Sequence, residues 1–164
     1  MNLGLNWGAT PSERAASMPC DARAPQARVR ADRAISIAAS STVVSAWLCQ
    51  LRVAPYSYDM LDNFGRRSPR ARNPELRDLA VGQRFMTIFT LVSYDGKQIT
   101  LQTKGVAVTY AVGTETSGCR LHARVVFDGP SLIGRVLALA DLVMMRKQLL
   151  TLKSLAEREA AGRV

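Results

Sequence analysis

The feature that most constrains the fold is one long helical segment near the C-terminus. From Ser131 to about Ala160 the sequence contains no proline, and at 1.5 Å per residue this helix is roughly 45 Å long. Its first half, residues 132–145, is apolar on nearly every side and is interrupted only by Arg135 and Asp141. Because a helix that is apolar all round is normally buried, we expect the rest of the protein to enclose this half.

The only large apolar surface that can enclose it is a predicted antiparallel sheet. From Gln83 onwards the apolar residues recur with a period of two, which is the period of a strand. The predicted strands are Arg84–Tyr94, Gln98–Thr103, Val106–Val112 and Arg120–Phe127, and Asp95-Gly96 forms the first hairpin turn. One face of these strands is apolar and the other is polar, a pattern typical of a sheet that is covered on one side only.

Shorter elements precede this sheet. Residues 30–38 alternate between polar and apolar side chains and form a predicted strand. Ser40 or Ser41 can cap a following helix that runs to about residue 51. A short second helix at residues 56–63 and a helical turn at 74–79 complete the predicted order.

This order predicts an α+β fold in which a curved antiparallel sheet wraps around the long C-terminal helix, the helix-grip architecture. We expect a strand, two helices, a four-stranded meander and the long helix, with one or two more strands compatible with the pattern. A curved sheet and a helix that do not collapse fully onto each other leave a cavity. Apolar cavities of this kind commonly bind apolar ligands.

The N-terminal residues are expected to lie outside the fold. Residues 1–29 show no periodicity and contain Pro11, Pro19 and Pro25, so we predict a disordered tail followed by a single domain over residues 30–162. The N-terminus lacks the charged and apolar regions of a secretory signal. The apolar segment 35–51 is too short and too polar to span a bilayer, so we expect a cytoplasmic protein with no transmembrane segment.

Composition excludes several classes of function. The net charge is +9, which invites nucleic-acid or anionic-membrane binding, but residues 1–29 form no basic arm and the excess is spread over the chain. We therefore expect no nucleic-acid partner. Three cysteines at spacings unlike a zinc site or a redox pair, together with a single histidine, predict reduced thiols and neither a metal nor another cofactor.

Several short motifs carry a resemblance to a known superfamily. They are Ala54-Pro-Tyr-Ser-Tyr-Asp59, Asp62-Asn63, Gly65-Arg-Arg-Ser-Pro-Arg70, Val81-Gly-Gln83 and Asp141-Leu-Val-Met-Met-Arg-Lys-Gln-Leu-Leu150. In these motifs the chain resembles a group of uncharacterised bacterial proteins of the SRPBCC superfamily, which includes START lipid-transfer domains and polyketide cyclases and aromatases. The resemblance covers about residues 30–160 and implies a hydrophobic cavity between the sheet and the C-terminal helix. It implies no single catalytic set.

Two groups of side chains carry the candidate chemistry. Tyr56, Tyr58 and Asp59 can supply acid–base help to a cyclase reaction, with Tyr58 and Asp59 as the catalytic candidates. The alternative is that the two tyrosines pack on the core while Asp59 pairs with an arginine. Arg66, with Arg67 and Arg70 nearby, can bind a phosphate or carboxylate head group through paired hydrogen bonds, or can form ion pairs that hold its own loop.

Other residues are expected to line the cavity or to form an ion pair next to it. The predicted ligand contacts are Tyr56, Tyr58, Arg66, Phe85, Tyr110 and Met144. Asp141 lies in an apolar turn of the long helix and needs a partner, for which we predict an arginine of the 66–72 loop. The strand alternation places His122 on the polar face, so we do not expect it to be a catalytic base.

These observations predict a protein that binds a small hydrophobic or amphipathic molecule, of a lipid-like or polyketide-like kind, in an internal cavity. The first alternative is an enzyme of the polyketide cyclase or aromatase type that uses Tyr58 and Asp59. The second alternative is an interaction module whose basic loop contacts an acidic partner.

Overall fold

A seven-stranded sheet and one long helix make up most of the computed structural model, which describes residues 4–58 and 64–162. The strands are β1 (Asn6–Trp7), β2 (Val29–Ile37), β3 (Arg84–Phe85), β4 (Phe89–Tyr94), β5 (Gln98–Thr103), β6 (Val106–Glu115) and β7 (Gly118–Phe127). The helices are α1 (Pro11–Ala15), α2 (Ser41–Cys49) and α3 (Ser131–Ala160), with 3-10 turns at Asp21–Arg23, Gln50–Arg52 and Pro74–Arg77. The sheet order is β1-β2-β7-β6-β5-β4-β3. The β1–β2 pair is parallel and the other pairs are antiparallel. The helix-grip prediction is confirmed.

The predicted alternation of the last three strands of the meander, β5, β6 and β7, is confirmed. The buried core on the concave face of the sheet includes the expected inward side chains Ile99, Leu101, Val108, Tyr110, Val112, Leu121, Ala123, Val125 and Phe127. Ser40 caps α2, because its hydroxyl accepts a hydrogen bond from the backbone amide of Val43 at 3.3 Å. The second half of α3 packs on this core through Leu149, Leu152 and Ala156.

Helix α2 fixes the C-terminal half of α3 in place. The indole Nε1 of Trp47, which is fully buried, donates a hydrogen bond to Glu159 Oε2 at 2.9 Å. Arg72 pairs with the same carboxylate from the loop before β3. One end of α3 is therefore held by both apolar packing and partly buried polar contacts, and this anchoring sets where the helix lies over the sheet.

The predicted strand at 84–94 is two strands joined by a tight turn. Met86 and Thr87 adopt positive φ angles of 47° and 69°, which non-glycine residues rarely do. The amide of Met86 donates to the carbonyl of Leu51 at 2.8 Å, so a contact from a distant segment holds the turn. Periodicity could not predict this break, because neither residue is typical of a turn with positive φ.

The predicted short helix at residues 56–63 is not helical where the structure describes it. Tyr56 has a φ of 56°, and Ser57 and Tyr58 continue without helical backbone. The rest of that predicted helix, residues 59–63, lies outside the described residues. Tyr56 packs edge-on against Trp47, with ring centroids 6.1 Å apart. The tertiary contact therefore decides the local conformation there.

The segment predicted to be disordered differs from that expectation over residues 4–28. It adds β1 to the edge of the sheet and then covers part of the convex face with α1 and the 3-10 turn at Asp21–Arg23. Met18, Cys20 and Ala24 form a second small core there with Ala107 and Val126. The polar alternation had suggested that the convex face is bare, but this segment covers part of it.

A buried cluster of charged residues explains why the segment stays on the convex face. Arg124 is fully buried, and its Nε donates to Asp32 Oδ1 at 2.8 Å. Its remaining nitrogens donate to Asp21 and to the backbone carbonyls of Glu13, Arg14 and Ala16. A buried guanidinium must be fully hydrogen-bonded, and the N-terminal segment supplies these acceptors. His122 Nε2 lies 2.9 Å from the same Asp32 oxygen.

The first half of α3 is not enclosed, contrary to the sequence prediction. Only one side of it touches the sheet, and the contact is so close that a Cβ on Gly134 would lie 2.9 Å from Val29. The remaining aliphatic side chains face outward, because a single sheet can cover only one side of a helix. The helix begins after Pro130, whose side chain makes no capping hydrogen bond. In the part of the chain that is described, no helix is long and apolar enough to cross a bilayer.

Candidate ligand cavity

A cavity of about 470 Å³ lies between the concave face of the sheet and residues 137–148 of α3. Its apolar wall is formed by Pro55, Phe64, Met86, Ile88, Phe89, Val106, Val108, Val125, Phe127, Leu137, Ala140, Met144 and Met145. The polar groups in the wall come from Ser57, Thr87, Tyr110, Asp141 and Gln148. A mostly apolar cavity with a few converging polar groups is the usual form of a small-molecule site.

The first polar group in the wall is a hydrogen-bonded chain that crosses the cavity floor. The hydroxyl of Tyr110 donates to Gln148 Oε1 at 2.6 Å. Gln148 Nε2 then donates to the carbonyl of Pro55 at 2.6 Å and approaches the sulfur of Met86 at 3.2 Å. One glutamine therefore joins β6, α3 and two of the segments that border the cavity mouth.

The second polar group is a carboxylate paired with a buried arginine. Asp141 Oδ2 lies 3.3 Å from Arg33 Nη2, and the Arg33 side chain is fully buried. The same nitrogen donates to the carbonyls of Gly4 and Ala138 at 2.6 and 3.0 Å. The predicted partner from the 66–72 loop is therefore wrong. The partner comes from β2, which lies directly beneath this part of α3.

The electrostatics of these groups follow from burial. Loss of water raises the pKa of Asp141 to about 6, although the Arg33 charge acts in the opposite direction. Burial also raises the pKa of Tyr110, helped by the Asp141 charge and opposed by the hydrogen bond to Gln148. The phenol is therefore a neutral hydrogen-bond donor, whereas the Asp141 carboxyl can exchange a proton near neutral pH.

The predicted ligand contacts are only partly brought together. Tyr110 and Met144 line the cavity. Phe85 is fully buried in the core but is not part of the wall. Tyr56 is buried against Trp47, and Tyr58 is 40 % exposed.

The stretch around the predicted catalytic pair borders the cavity through other residues. Pro55, Ser57 and Phe64 contribute to the wall, whereas Arg66 is exposed outside it. Asp59 lies outside the described residues. The roles assigned to Tyr58 and Asp59 in catalysis, and to Tyr56, Tyr58, Arg66 and Phe85 in ligand contact, stay predictions.

Sequence reasoning missed Gln148, which lines the cavity. Gln148 lies seven residues after Asp141, which is two helical turns, so both side chains fall on the same face of α3. That spacing was a usable signal, because two polar residues recur on a face that is otherwise apolar.

One other depression in the molecule is a weaker candidate. A depression of about 530 Å³ lies between α2 and the β4–β5 turn, and its lining includes Ser41, Thr42, Ser45, Arg77 and Lys97. Its wall also includes the core residues Leu48, Ile99 and Val112, and its described lining contains none of the buried hydrogen-bonded groups of the cavity. Among the residues described, no cluster of histidine, cysteine and acidic side chains could hold a metal ion.

Solved structures share this arrangement of a sheet around a helix. The di-domain aromatase/cyclase StfQ from the steffimycin biosynthetic pathway superposes with a TM-score of 0.51 at 15 % identity. The match covers 80 % of this chain and 51 % of StfQ, so the chain spans about half the length of that protein. The chain therefore has the helix-grip fold.

Two further structures with the helix-grip fold match over nearly their whole length. A protein from Nitrosomonas europaea gives a TM-score of 0.53 at 13 % identity, covering 80 % of this chain and 96 % of that one. A protein from Mesorhizobium loti gives 0.51 at 14 % identity, covering 79 % and 97 %. No protein-family model matches the sequence, and no curated protein is significantly similar to it. At these identities the likeness shows the fold alone.

Proposed function

We propose that this protein binds a small hydrophobic or amphipathic molecule in the cavity between the sheet and α3. The observation that carries the proposal is a cavity of about 470 Å³ with a wall that is apolar apart from a few buried polar groups. Ligand sites in proteins typically measure ~300–1,000 Å³ and have this composition. Met86, Met144 and Met145 all line the cavity, and methionine adapts to ligands of varied shape.

The polar groups favour a ligand that has one polar end. Asp141 Oδ2 accepts from Arg33, but a carboxylate can accept about four hydrogen bonds. Tyr110 donates its proton to Gln148, and its oxygen can still accept a bond. A hydroxyl or ammonium group on the ligand would suit Asp141, while the hydrocarbon body contacts the methionines and valines.

The proposal is tested by filling the cavity from within α3. Met144→Trp places an indole in the cavity wall, whereas Leu150→Trp puts the same side chain on an exposed position of the same helix that does not line the cavity. The measurement is a titration of each protein with a fluorescent fatty-alcohol probe, whose hydroxyl suits Asp141. We expect binding to the wild type and to Leu150→Trp, and strongly weakened binding to Met144→Trp.

The outcome that contradicts the proposal is equally direct. If Met144→Trp binds the probe as tightly as the wild type, the probe does not occupy this cavity. If no protein binds the probe, native mass spectrometry of freshly purified wild type decides whether a tightly held molecule blocks the site. Absence of both a retained molecule and probe binding would refute the proposal.

One observation favours the enzyme alternative. Cyclase-type chemistry needs an acid–base group that faces the substrate, and Asp141 has a pKa of about 6 in the cavity wall. Tyr58, the residue predicted from the sequence, is not part of the wall. Asp141→Asn would abolish turnover of a polyketide-like substrate but leave probe binding intact if this alternative holds. Unchanged turnover in Asp141→Asn would remove Asp141 from any such reaction.

A further inference from the structure

The outward side of the first half of α3 carries an unusual row of exposed aliphatic side chains. Leu132, Val136, Leu139 and Val143 follow one another at steps of four, three and four residues, which places them on one helix face. Leu132 is 74 % exposed, Val136 62 % and Val143 54 %. None of them lines the cavity. We refer to these four residues as the outer face of α3.

The charges beside the outer face are all of one sign. Arg135 lies four residues before Leu139, and Lys147 lies four residues after Val143, so both flank the row. Both are exposed, and neither forms an ion pair with a described residue. The only acid between residues 131 and 154 is Asp141, which faces the cavity and pairs with Arg33. An aliphatic row between uncompensated cations favours a partner that is both apolar and anionic.

A second copy of the chain meets this requirement poorly. If two outer faces packed together, Arg135 and Lys147 of one copy would lie near Arg135 and Lys147 of the other. This part of α3 has no exposed acid to compensate these charges. Like charges brought together in this way destabilise an interface. An anionic lipid bilayer, in contrast, supplies apolar depth below a layer of negative head groups.

We propose that the outer face of α3 docks the protein onto an anionic membrane surface. The helix lies in the plane of the interface, with Leu132, Val136 and Val143 among the acyl chains and Arg135 at the phosphate level. This goes beyond the ligand site, and the docking does not require the cavity to be filled.

The outer face also lies beside the cavity mouth. Three exposed residues line the cavity and border its opening: Phe64, Ile88 and Leu137. Ile133, one helical turn before Leu137, is also exposed. Exposed apolar residues therefore continue from the helix to the opening. A docked molecule would present this opening towards the bilayer, from which a hydrophobic ligand can enter.

The docking is tested by flotation with vesicles of phosphatidylcholine alone or mixed with phosphatidylglycerol. We expect the wild type to float with the mixed vesicles and to be released by added salt. The double variant Val136→Ser, Val143→Ser should bind them about ten-fold or more weakly, because two aliphatic contacts with the acyl chains are lost. Arg135→Glu should lose at least about five-fold, the contribution of one cation near an anionic surface. Val81→Ser and Lys97→Glu change an exposed valine and an exposed cation elsewhere and should bind as the wild type does.

Each other result counts against membrane docking. Flotation of the wild type with neither vesicle, or equal flotation of the double variant, would overturn it. So would a dimer in light scattering that the double variant dissociates, since the outer face would then belong to a second copy. Binding of an acidic amphipathic peptide in place of vesicles would assign the surface to a protein partner. The double variant should keep the wild-type melting temperature and affinity for the fatty-alcohol probe, which separates loss of docking from misfolding and from failure of the cavity proposal.

Discussion

Replacing Asp141 by asparagine is expected to change how the stability of this protein depends on pH. In the folded protein the pKa of this carboxyl is about 6, whereas its ordinary value is 3.8. Because the folded-state pKa is the higher one, the protonated form is favoured by folding. The stability associated with this group is therefore fully present below pH 3.8 and is lost as the pH rises through 6.

The magnitude follows from the same two values. One pH unit between folded and unfolded pKa corresponds to ~1.36 kcal/mol, so ionisation of Asp141 removes about 3 kcal/mol of folding free energy by pH 7. Asparagine cannot ionise, so the variant lacks this loss. The free energy of unfolding of Asp141→Asn minus that of the wild type should rise by about 3 kcal/mol between pH 3.8 and pH 7.

Urea unfolding of both proteins at a series of pH values measures this difference. Taking the difference is necessary, because the pKa of Glu13 is lowered to about 2 by Arg120 and the pKa of Asp32 is also lowered, so these groups act in the opposite direction. They are present in both proteins and cancel. A difference that stays constant from pH 3.8 to pH 7 would show that Asp141 is not desolvated and would refute the reasoning. A difference that falls would show that its pairing with Arg33 outweighs burial.

Three further substitutions test the packing around the site and the sheet. Tyr110→Phe leaves the buried oxygen of Gln148 without its donor and should cost about 1–3 kcal/mol in thermal or urea unfolding; no loss would mean that the bond is not formed. Arg124→Met removes the donor that holds residues 13–21 and should increase amide exchange and proteolysis in that segment but not in α3; equal protection would contradict its role. Gly118→Ala would place a Cβ 2.1 Å from the carbonyl oxygen of Ile37, at a backbone φ of 145°. We expect the free energy of unfolding to fall by about 1 kcal/mol or more and the melting temperature to fall by several degrees. An unchanged melting temperature would contradict this close approach.

The sheet and the long helix could be predicted because their signals are local and repeated. Strands β5, β6 and β7 each show period-two alternation over several residues, and Asp95-Gly96 marks the turn between β4 and β5. Helix α3 has no breaker along its whole length. Such patterns depend on neighbours in the sequence, so they can be interpreted without knowledge of the tertiary structure.

The remaining features depend on contacts between distant residues. The turn at Met86 depends on the hydrogen bond that its amide donates to the carbonyl of Leu51, and the partner of Asp141 is Arg33, 108 positions earlier. The N-terminal segment stays on the sheet because its backbone carbonyls accept hydrogen bonds from Arg124. Every residue has a backbone carbonyl, so the pattern of side chains cannot predict this contact. The sequence also indicated that the first half of α3 needs an apolar environment. It could not distinguish a covering sheet from a surface that a partner covers.

The most direct test of ligand binding in the cavity is NMR of the protein labelled with ¹³C at its methionine methyl groups. Met86, Met144 and Met145 line the cavity, whereas Met18 lies in the small core on the opposite face of the sheet. Titration with a long-chain fatty alcohol should shift the three cavity methyl signals with a single saturable affinity and leave that of Met18 unchanged. Unchanged cavity signals, or equal movement of Met18, would contradict the assignment of this cavity as the ligand site.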